Sequence, residues 1–370
     1  LARAERADRA GLLDVPRSGA EAVGVVGQRA DGADVGDVAV ERRHVGPVGE
    51  GAAGGAVAAG QQRQPGVLGD LPPDCHPART EGAATFTSNP PARSDMARTF
   101  VPLHQGRDAV KRAEQIVIEN PTAVGAIGVL GDASLETGDL AGAEAAFNEL
   151  QRQIGGPSVE SRLARLFYLR GNTAEAVRMA DGAAAGAAAL NASAEEQAFY
   201  RYVAGEYRWG SGDINGADAQ YQAALSVFPH YYLALTGRGR VAFARGDLPK
   251  AIEFYKAAVA IIPKPELLAF LGDLYAVSGD AANADRQYQT VDFIVKLNDV
   301  QAQVFNREIA LFQATHRRDT AHAVQIATGE FEVRKDIYGY DALAWALYSN
   351  GQAGEALAPA QQAIALGTQD

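Results

Sequence analysis

The sequence predicts an all-α solenoid of stacked helix–turn–helix units, and three observations carry that prediction. First, two successive segments, GEYRWGSGDINGADAQYQAALSVFP from Gly205 and HYYLALTGRGRVAFARGDLPKAIEFYKAAVAIIP from His230, share one frame and close on Pro229 and Pro263, an offset of 34 residues. Second, each segment carries a Gly-Asp pair, Gly212-Asp213 and Gly246-Asp247, which stops one helix and caps the next. Third, small and aromatic residues recur at helical spacing after each glycine: Ala217, Tyr221 and Ala224 in one unit, Ala251, Tyr255 and Ala258 in the next. The alanines suit a close helix crossing, and the tyrosine fills the space beside it. Pro229 and Pro263 are expected in the first turn of the following helix, where a missing N–H is harmless.

Taken in order, the chain begins with a segment of another kind. Residues 1–95 contain no Lys, Ile, Tyr or Trp, and their one aromatic residue is Phe86. So few large apolar groups cannot offset the entropy of ordering, so this segment is expected to be disordered. Two accounts stay open: a flexible tail, or upstream DNA translated ahead of a start at Met96. Cys75 and His76 are adjacent here, but two candidate ligands without a scaffold make no metal site.

The array is expected over residues 96–370. It opens with an orphan second helix at about 107–120, in which Ala109, Ala113, Ile116 and Pro121 keep the frame. About seven units follow. The first has its turn at Gly138-Asp139, with Ala143 and Phe147 after it. The second turns at Gly171-Asn172, and the Ala/Gly-rich run from Gly182 to Ala194 predicts a longer second helix or a loose connection. The third and fourth are the two segments quoted above. The fifth turns at Gly279-Asp280 before Ala284 and Tyr288. The sixth is degenerate, with Arg318-Asp319 at its turn and longer helices expected around Phe293–Phe312. The seventh, DALAWALYSNGQAGEALAPAQQAIALG, turns at Gly351, and the chain stops at Asp370, where another helix is expected. A capping helix normally shields a solenoid end, so this end is read as truncated or exposed.

This frame resembles the tetratricopeptide repeat family from about Gly106 onward. The order of the units, with LGDLY in the fifth and DALAWALY in the seventh, resembles bacterial members of that family whose role is undefined. The resemblance implies a right-handed superhelix of hairpins and a general role in binding other proteins. It also implies that residues three, six, ten and thirteen before each turn glycine line the concave groove. Applied here, that stripe collects Arg165 and Tyr168; Phe199, Tyr202, Glu206 and Trp209; Arg240 and Phe243; Asp273; Glu308 and Phe312; and Tyr338, Asp341, Trp345 and Tyr348. Aromatic anchors among charges suit an extended peptide or an inserted helix. The same aromatics can equally close gaps between units. In the third unit the strict register turns Arg201 and Arg208 toward the core, and a slip of one residue would bring in Tyr200 and Tyr207 instead. Some co-chaperones of the family hold an acidic C-terminal peptide with Lys and Asn groups. This stripe has neither, and Arg165 and Arg240 are its only cations, which argues against such a receptor.

Composition narrows the function further. A formal net charge of −11 and a pI of about 5.1 argue against a nucleic-acid platform. One cysteine, Cys75, allows no intrachain disulfide, and no apolar run is long enough to span a membrane. His104, His230, His316 and His322 are scattered and are read as solvated or turn residues, not as a metal pair. LTGRGR from Leu235 lacks the Lys-Ser/Thr ending of a phosphate loop, and HRRD from His316 has no accompanying kinase element. No catalytic set, cofactor site or metal site is therefore expected. Two functional classes remain: a scaffold that binds a peptide or helix of an unidentified partner protein, or the docking region of an enzyme whose catalytic part lies outside this chain. No feature assigns a compartment.

Overall fold

The computed structural model describes residues 106–300 and 307–368. The expectation of disorder for residues 1–95 lies outside them. Among the described residues there are fifteen helices and no strand. An unpaired helix, α1 (Gly106–Glu119), precedes seven hairpins. These are α2 (Val124–Glu136) with α3 (Leu140–Gln153), α4 (Pro157–Leu169) with α5 (Thr173–Ala189), α6 (Ala194–Gly210) with α7 (Ile214–Val227), and α8 (Tyr232–Ala244) with α9 (Leu248–Ile261). They continue with α10 (Pro265–Val277) and α11 (Ala281–Val300), α12 (Arg307–Thr315) and α13 (Thr320–Val333), then α14 (Ile337–Ser349) and α15 (Ala353–Ala363). None of the described helices is long and apolar enough to cross a membrane.

The Gly-Asp pairs act as a stop and a start. Gly246 sits at φ 78° and donates to the Phe243 carbonyl at 2.9 Å, while the Asp247 N–H returns to the Ala242 carbonyl at 2.9 Å. The Asp247 carboxylate then accepts from the Lys250 N–H, and Asp139, Asp213, Asp280 and Asp319 cap their helices in the same way. Proline plays a different part from the one expected. Pro229 and Pro263 lie in the connections, ahead of α8 and α10, whereas Pro157 and Pro265 open helices. The residue before a proline avoids the helical region. Phe228 and Ile262 are accordingly extended, at φ −138° and −147°, so each proline ends the helix behind it.

The two irregular units resolve differently. The Ala/Gly-rich run of the second unit extends α5 to 17 residues, and its buried face is Ala176, Ala180, Ala183, Ala184 and Ala187. Gly182 and Gly186 leave room on that helix for Glu160 and Pro157 of α4. In the sixth unit no glycine is available, and Arg317, at φ 49°, takes the left-handed position. Arg318 inherits the backbone hydrogen bond that the aspartate makes elsewhere, donating to the Gln313 carbonyl at 3.0 Å. One extra residue therefore separates the turn from the capping Asp319, and the register of α12 moves by one relative to the expected frame.

The core runs between hairpins, with the first helix of each pair buried far more completely than the second. Helix α10 buries eight consecutive residues, Leu267 to Leu274, whereas α9 buries only Ala251, Tyr255 and Ala258. The two ends of the array also touch. Ile337 of α14 belongs to the apolar cluster of Leu135, Leu163, Leu166 and Leu169, with Tyr338 packed against it. The Thr368 hydroxyl donates to the Leu169 carbonyl at 2.6 Å, and Arg107 reaches the Glu332 carbonyl at 3.5 Å. The superhelix is thus closed into a ring along a seam between its first two units and its last two.

Candidate functional site

The inner stripe is positioned by close crossings within each hairpin. Gly131, Gly205, Gly239 and Gly272 stand seven residues before their turn glycines, and each faces the aromatic ring of its partner helix. A Cβ on Gly239 would lie 2.6 Å from Tyr255, and one on Gly205 or Gly272 would lie 2.5 Å from Tyr221 or Tyr288. These approaches aim the next residue of each first helix inward, and there the stripe is mostly buried.

That next position, six before the turn glycine, carries Asp132, Arg165, Glu206, Arg240 and Asp273 in successive units, an alternation of sign down the axis. All five are buried. Asp132 accepts from the Arg162 Nε at 2.9 Å. Glu206 forms an ion pair with Arg240 and accepts from the Tyr221 hydroxyl at 2.5 Å. Burial alone would lower the Arg240 guanidinium, but the Glu206 charge outweighs it and holds the group well above its ordinary value. Burial, aided by the Glu206 charge, raises the Tyr202 and Tyr221 phenols, so both stay neutral. Asp273 accepts from the Tyr288 hydroxyl at 2.6 Å and from the His316 Nε2 at 2.7 Å, while His316 Nδ1 contacts the Phe312 carbonyl at 2.9 Å. His316 is therefore a partly buried link between the fifth and sixth units, not a solvated turn histidine.

The other stripe residues divide by exposure. Tyr168 and Tyr202 are buried in the cluster around Tyr207, Tyr221 and Tyr231, together with Phe199. Tyr200 and Tyr202 are both buried, because α6 is packed on nearly every side. Arg208 does not enter the core. It pairs with Asp181 at 2.6 Å. The shifted register of α12 corrects two assignments: Phe312 lies between units, packed with Leu268, Val291, Val295 and Ile309, and the inner positions fall to Arg307 and Leu311. Glu308 turns toward the preceding unit, where burial and the Glu266 charge raise its carboxyl. Surface remains at Trp209, Phe243, Glu308, Tyr338, Asp341 and Trp345, which are half-buried, and at Tyr348, which is 53% exposed. Trp345 donates through Nε1 to the Thr315 hydroxyl at 3.0 Å and stacks on Tyr348, with centroids 5.8 Å apart.

A second charged centre lies at the seam and escaped the sequence reasoning. Arg334 donates to Glu330 at 2.8 Å, and Arg307 stands 3.5 Å from Glu330 and 3.7 Å from Asp336. Across the seam, Glu136 of α2 and Arg165 of α4 feel the same charges. Burial lifts the Glu136 carboxyl from 4.5 to about 7 against the pull of Arg334 and Arg165. Glu136 and Arg165 lie far along the chain from Glu330, Arg334 and Asp336, and no local spacing joins the two groups.

Comparison with known proteins agrees with this architecture. A family model described as tetratricopeptide repeat matches residues 94–157 and 202–266. No curated protein matches the chain significantly. Among solved structures, PilW, a widely conserved type IV pilus biogenesis factor, is similar at 15% identity, covering 60% of this chain and 96% of that one, with a TM-score of 0.47. PilF of Pseudomonas aeruginosa is similar at 12% identity, covering 62% and 99%, with a TM-score of 0.47. The human IFIT1 dimer with PPP-AAAA is similar at 13% identity, covering 78% and 77%, with a TM-score of 0.48. These likenesses carry no inference about what this chain binds. The matched segments, the repeating Gly-Asp frame and the seven stacked hairpins give the described residues the architecture of a tetratricopeptide-repeat solenoid.

Proposed function

We propose that the array is a scaffold that holds a peptide or helix of a partner protein against the part of its inner stripe that keeps surface. Tetratricopeptide folds serve generally as protein-interaction scaffolds, and the stripe suits that role better than catalysis. The observation that carries the proposal is the exposure pattern. Arg165, Tyr168, Tyr202, Glu206, Arg240 and Asp273 are buried and brace the ring, while Trp209, Phe243, Asp341, Trp345 and Tyr348 retain surface on three helices. Aromatic anchors with a polar surround are the usual centres of binding energy. Spread over α6, α8 and α14, they favour a segment of chain over a small molecule. The test is affinity capture with the full chain, followed by Trp345→Ala and Tyr348→Ala. Both variants should melt close to the parent, and Trp345→Ala should weaken the captured partner by about 2–4 kcal/mol. Unchanged affinity in both, and in Phe243→Ala, would remove the stripe from the interaction.

A further inference from the structure

The turn glycines are of two kinds. Gly212, Gly246, Gly279 and Gly351 are left-handed, and among the described residues nothing lies within 4 Å of the place a Cβ would take. Gly138 and Gly171 are left-handed too, but each is covered from across the seam. The Lys335 carbonyl oxygen lies 2.8 Å from the Cβ place of Gly138, and the Gly367 carbonyl oxygen lies 2.6 Å from that of Gly171. Beside the second contact the Thr368 hydroxyl donates to the Leu169 carbonyl. Two successive turns of the first units thus receive the backbone on either side of the last hairpin, a catch that the missing glycine side chains allow.

Little apolar surface backs this catch. An ordinary boundary, α9 to α10, buries Tyr255, Ala258, Leu267, Phe270 and Leu271 in one cluster. At the seam Ile337 is buried among Leu135, Leu163, Leu166 and Leu169, with Tyr338 partly buried beside it. The rest of the seam interior is charged. Glu136 Oε2, Glu330 Oε2 and Arg334 Nε are buried there with no hydrogen-bond partner among the described residues. Such groups raise the free energy of the closed form, and opening returns them to water. Burial lifts the Glu136 carboxyl from 4.5 to about 7, against Arg334 of the α13–α14 connection and Arg165 of α4, while Asp336 and Asp132 add to the rise. An open seam relieves that burial, so the proton binds the closed form more tightly, and its loss on passing about 7 favours opening.

We propose that the seam is a gate: the closed ring exchanges with an open superhelix in which α14 and the α13–α14 connection leave α2 and α4, and a proton on Glu136 favours the closed form. The gate goes beyond the scaffold reading and does not depend on it, because it concerns the shape of the array and not its partner. Opening bares Ile337 and the inner ends of α2 and α4, so the gate governs which surface the array presents.

The test is single-molecule energy transfer in the full chain, with Cys75→Ser and dyes on Ala141→Cys and Glu355→Cys, exposed positions on the two sides of the seam. The open-to-closed ratio of this parent should rise about tenfold from about pH 6 to about pH 8, and Glu136→Gln should remove the dependence. Gly138→Ala with Gly171→Ala should shift the chain to low transfer at both pH values and keep its helical circular dichroism. Gly246→Ala with Gly279→Ala carries the same left-handed strain without a covering carbonyl and should match the parent. Equal opening by both glycine pairs overturns the two carbonyl contacts as the catch. A parent ratio equal at both pH values overturns the role of Glu136. Loss of helix in the Gly138 and Gly171 pair makes the seam a brace of the fold and overturns the gate, unless the milder Thr368→Val raises the open fraction with its helix intact. A single high-transfer population in the parent at both pH values and in Thr368→Val overturns the gate outright.

Discussion

At the residue scale the array rests on paired sizes. Gly131 faces Phe147, Gly205 faces Tyr221, Gly239 faces Tyr255 and Gly272 faces Tyr288. Where the first helix carries alanine instead, as at Ala164, Ala310 and Ala344, the partner helix carries Ala180, Ala327 and Ala360 at the matching place. A methyl and a phenol do not fit together at this distance, so each unit chooses one or the other. Gly239→Ala should therefore lose about 1–3 kcal/mol through overpacking against Tyr255. Combined with Tyr255→Ala it should cost less than the two changes summed, because the double variant reproduces the Ala–Ala pairing of the second unit. Urea unfolding of the three variants measures this, and strict additivity would mean that the ring and the glycine do not share the space.

At the element scale the hairpin is the unit of stability, and away from the seam its support comes from its immediate neighbours. Ala251 of α9 is fully buried among Ala242, Tyr255, Leu267 and Phe270, so it touches both its own hairpin and the next. Ala251→Leu should destabilise by about 1–3 kcal/mol, and hydrogen exchange should show the loss confined to the hairpins from α6 to α11. Parent-like exchange in α8 and α10 would place Ala251 outside the crossing. The sixth unit shows how an element can shift register without breaking. Its turn holds a left-handed arginine and one more residue, yet Asp319 still caps α13 and Ala323 and Ala327 still pack inward.

At the scale of the whole molecule the seam is a buried ionic contact between distant units. Burial raises the Glu136 carboxyl so that it is still partly protonated at neutral pH, and Arg334, Arg165, Asp336 and Asp132 act on it. Because its carboxyl sits at about 7 when folded and near 4.5 when free, the unfolded chain releases this proton first as pH rises. Its contribution is thus fully present below about 4.5 and is lost on passing 7, a difference on the order of 3 kcal/mol. Glu136→Gln should flatten the fall in stability across that window and should be the more stable form at higher pH. Denaturation midpoints measured across the window for both proteins provide the check, and parallel curves would remove Glu136 from the linkage.

What the sequence determined by itself is local. The helix stops, the aspartate caps, the alanine crossings and the number of hairpins all follow from residues close in the chain, where a cap or a size mismatch acts within a single unit. The stripe from Arg165 to Tyr348 was an expectation drawn from the sequence, whereas the alternation of sign from Asp132 to Asp273 went unread there. Only the tertiary structure decided which of those positions remain exposed. Small rotations between hairpins accumulate until the ends meet, and no single unit encodes the sum. That closure buries Arg165 and Glu136 against Arg334 and Asp336, and packs Ile337 into the first two units. Along the stripe, Trp209, Phe243, Glu308, Tyr338, Asp341 and Trp345 keep part of their surface, and Tyr348 is exposed. The register of α12 was hidden for a related reason: a left-handed Arg317 has no side-chain signature, and the packing of Ala310 and Ala314 against Ala323 and Ala327 selected it.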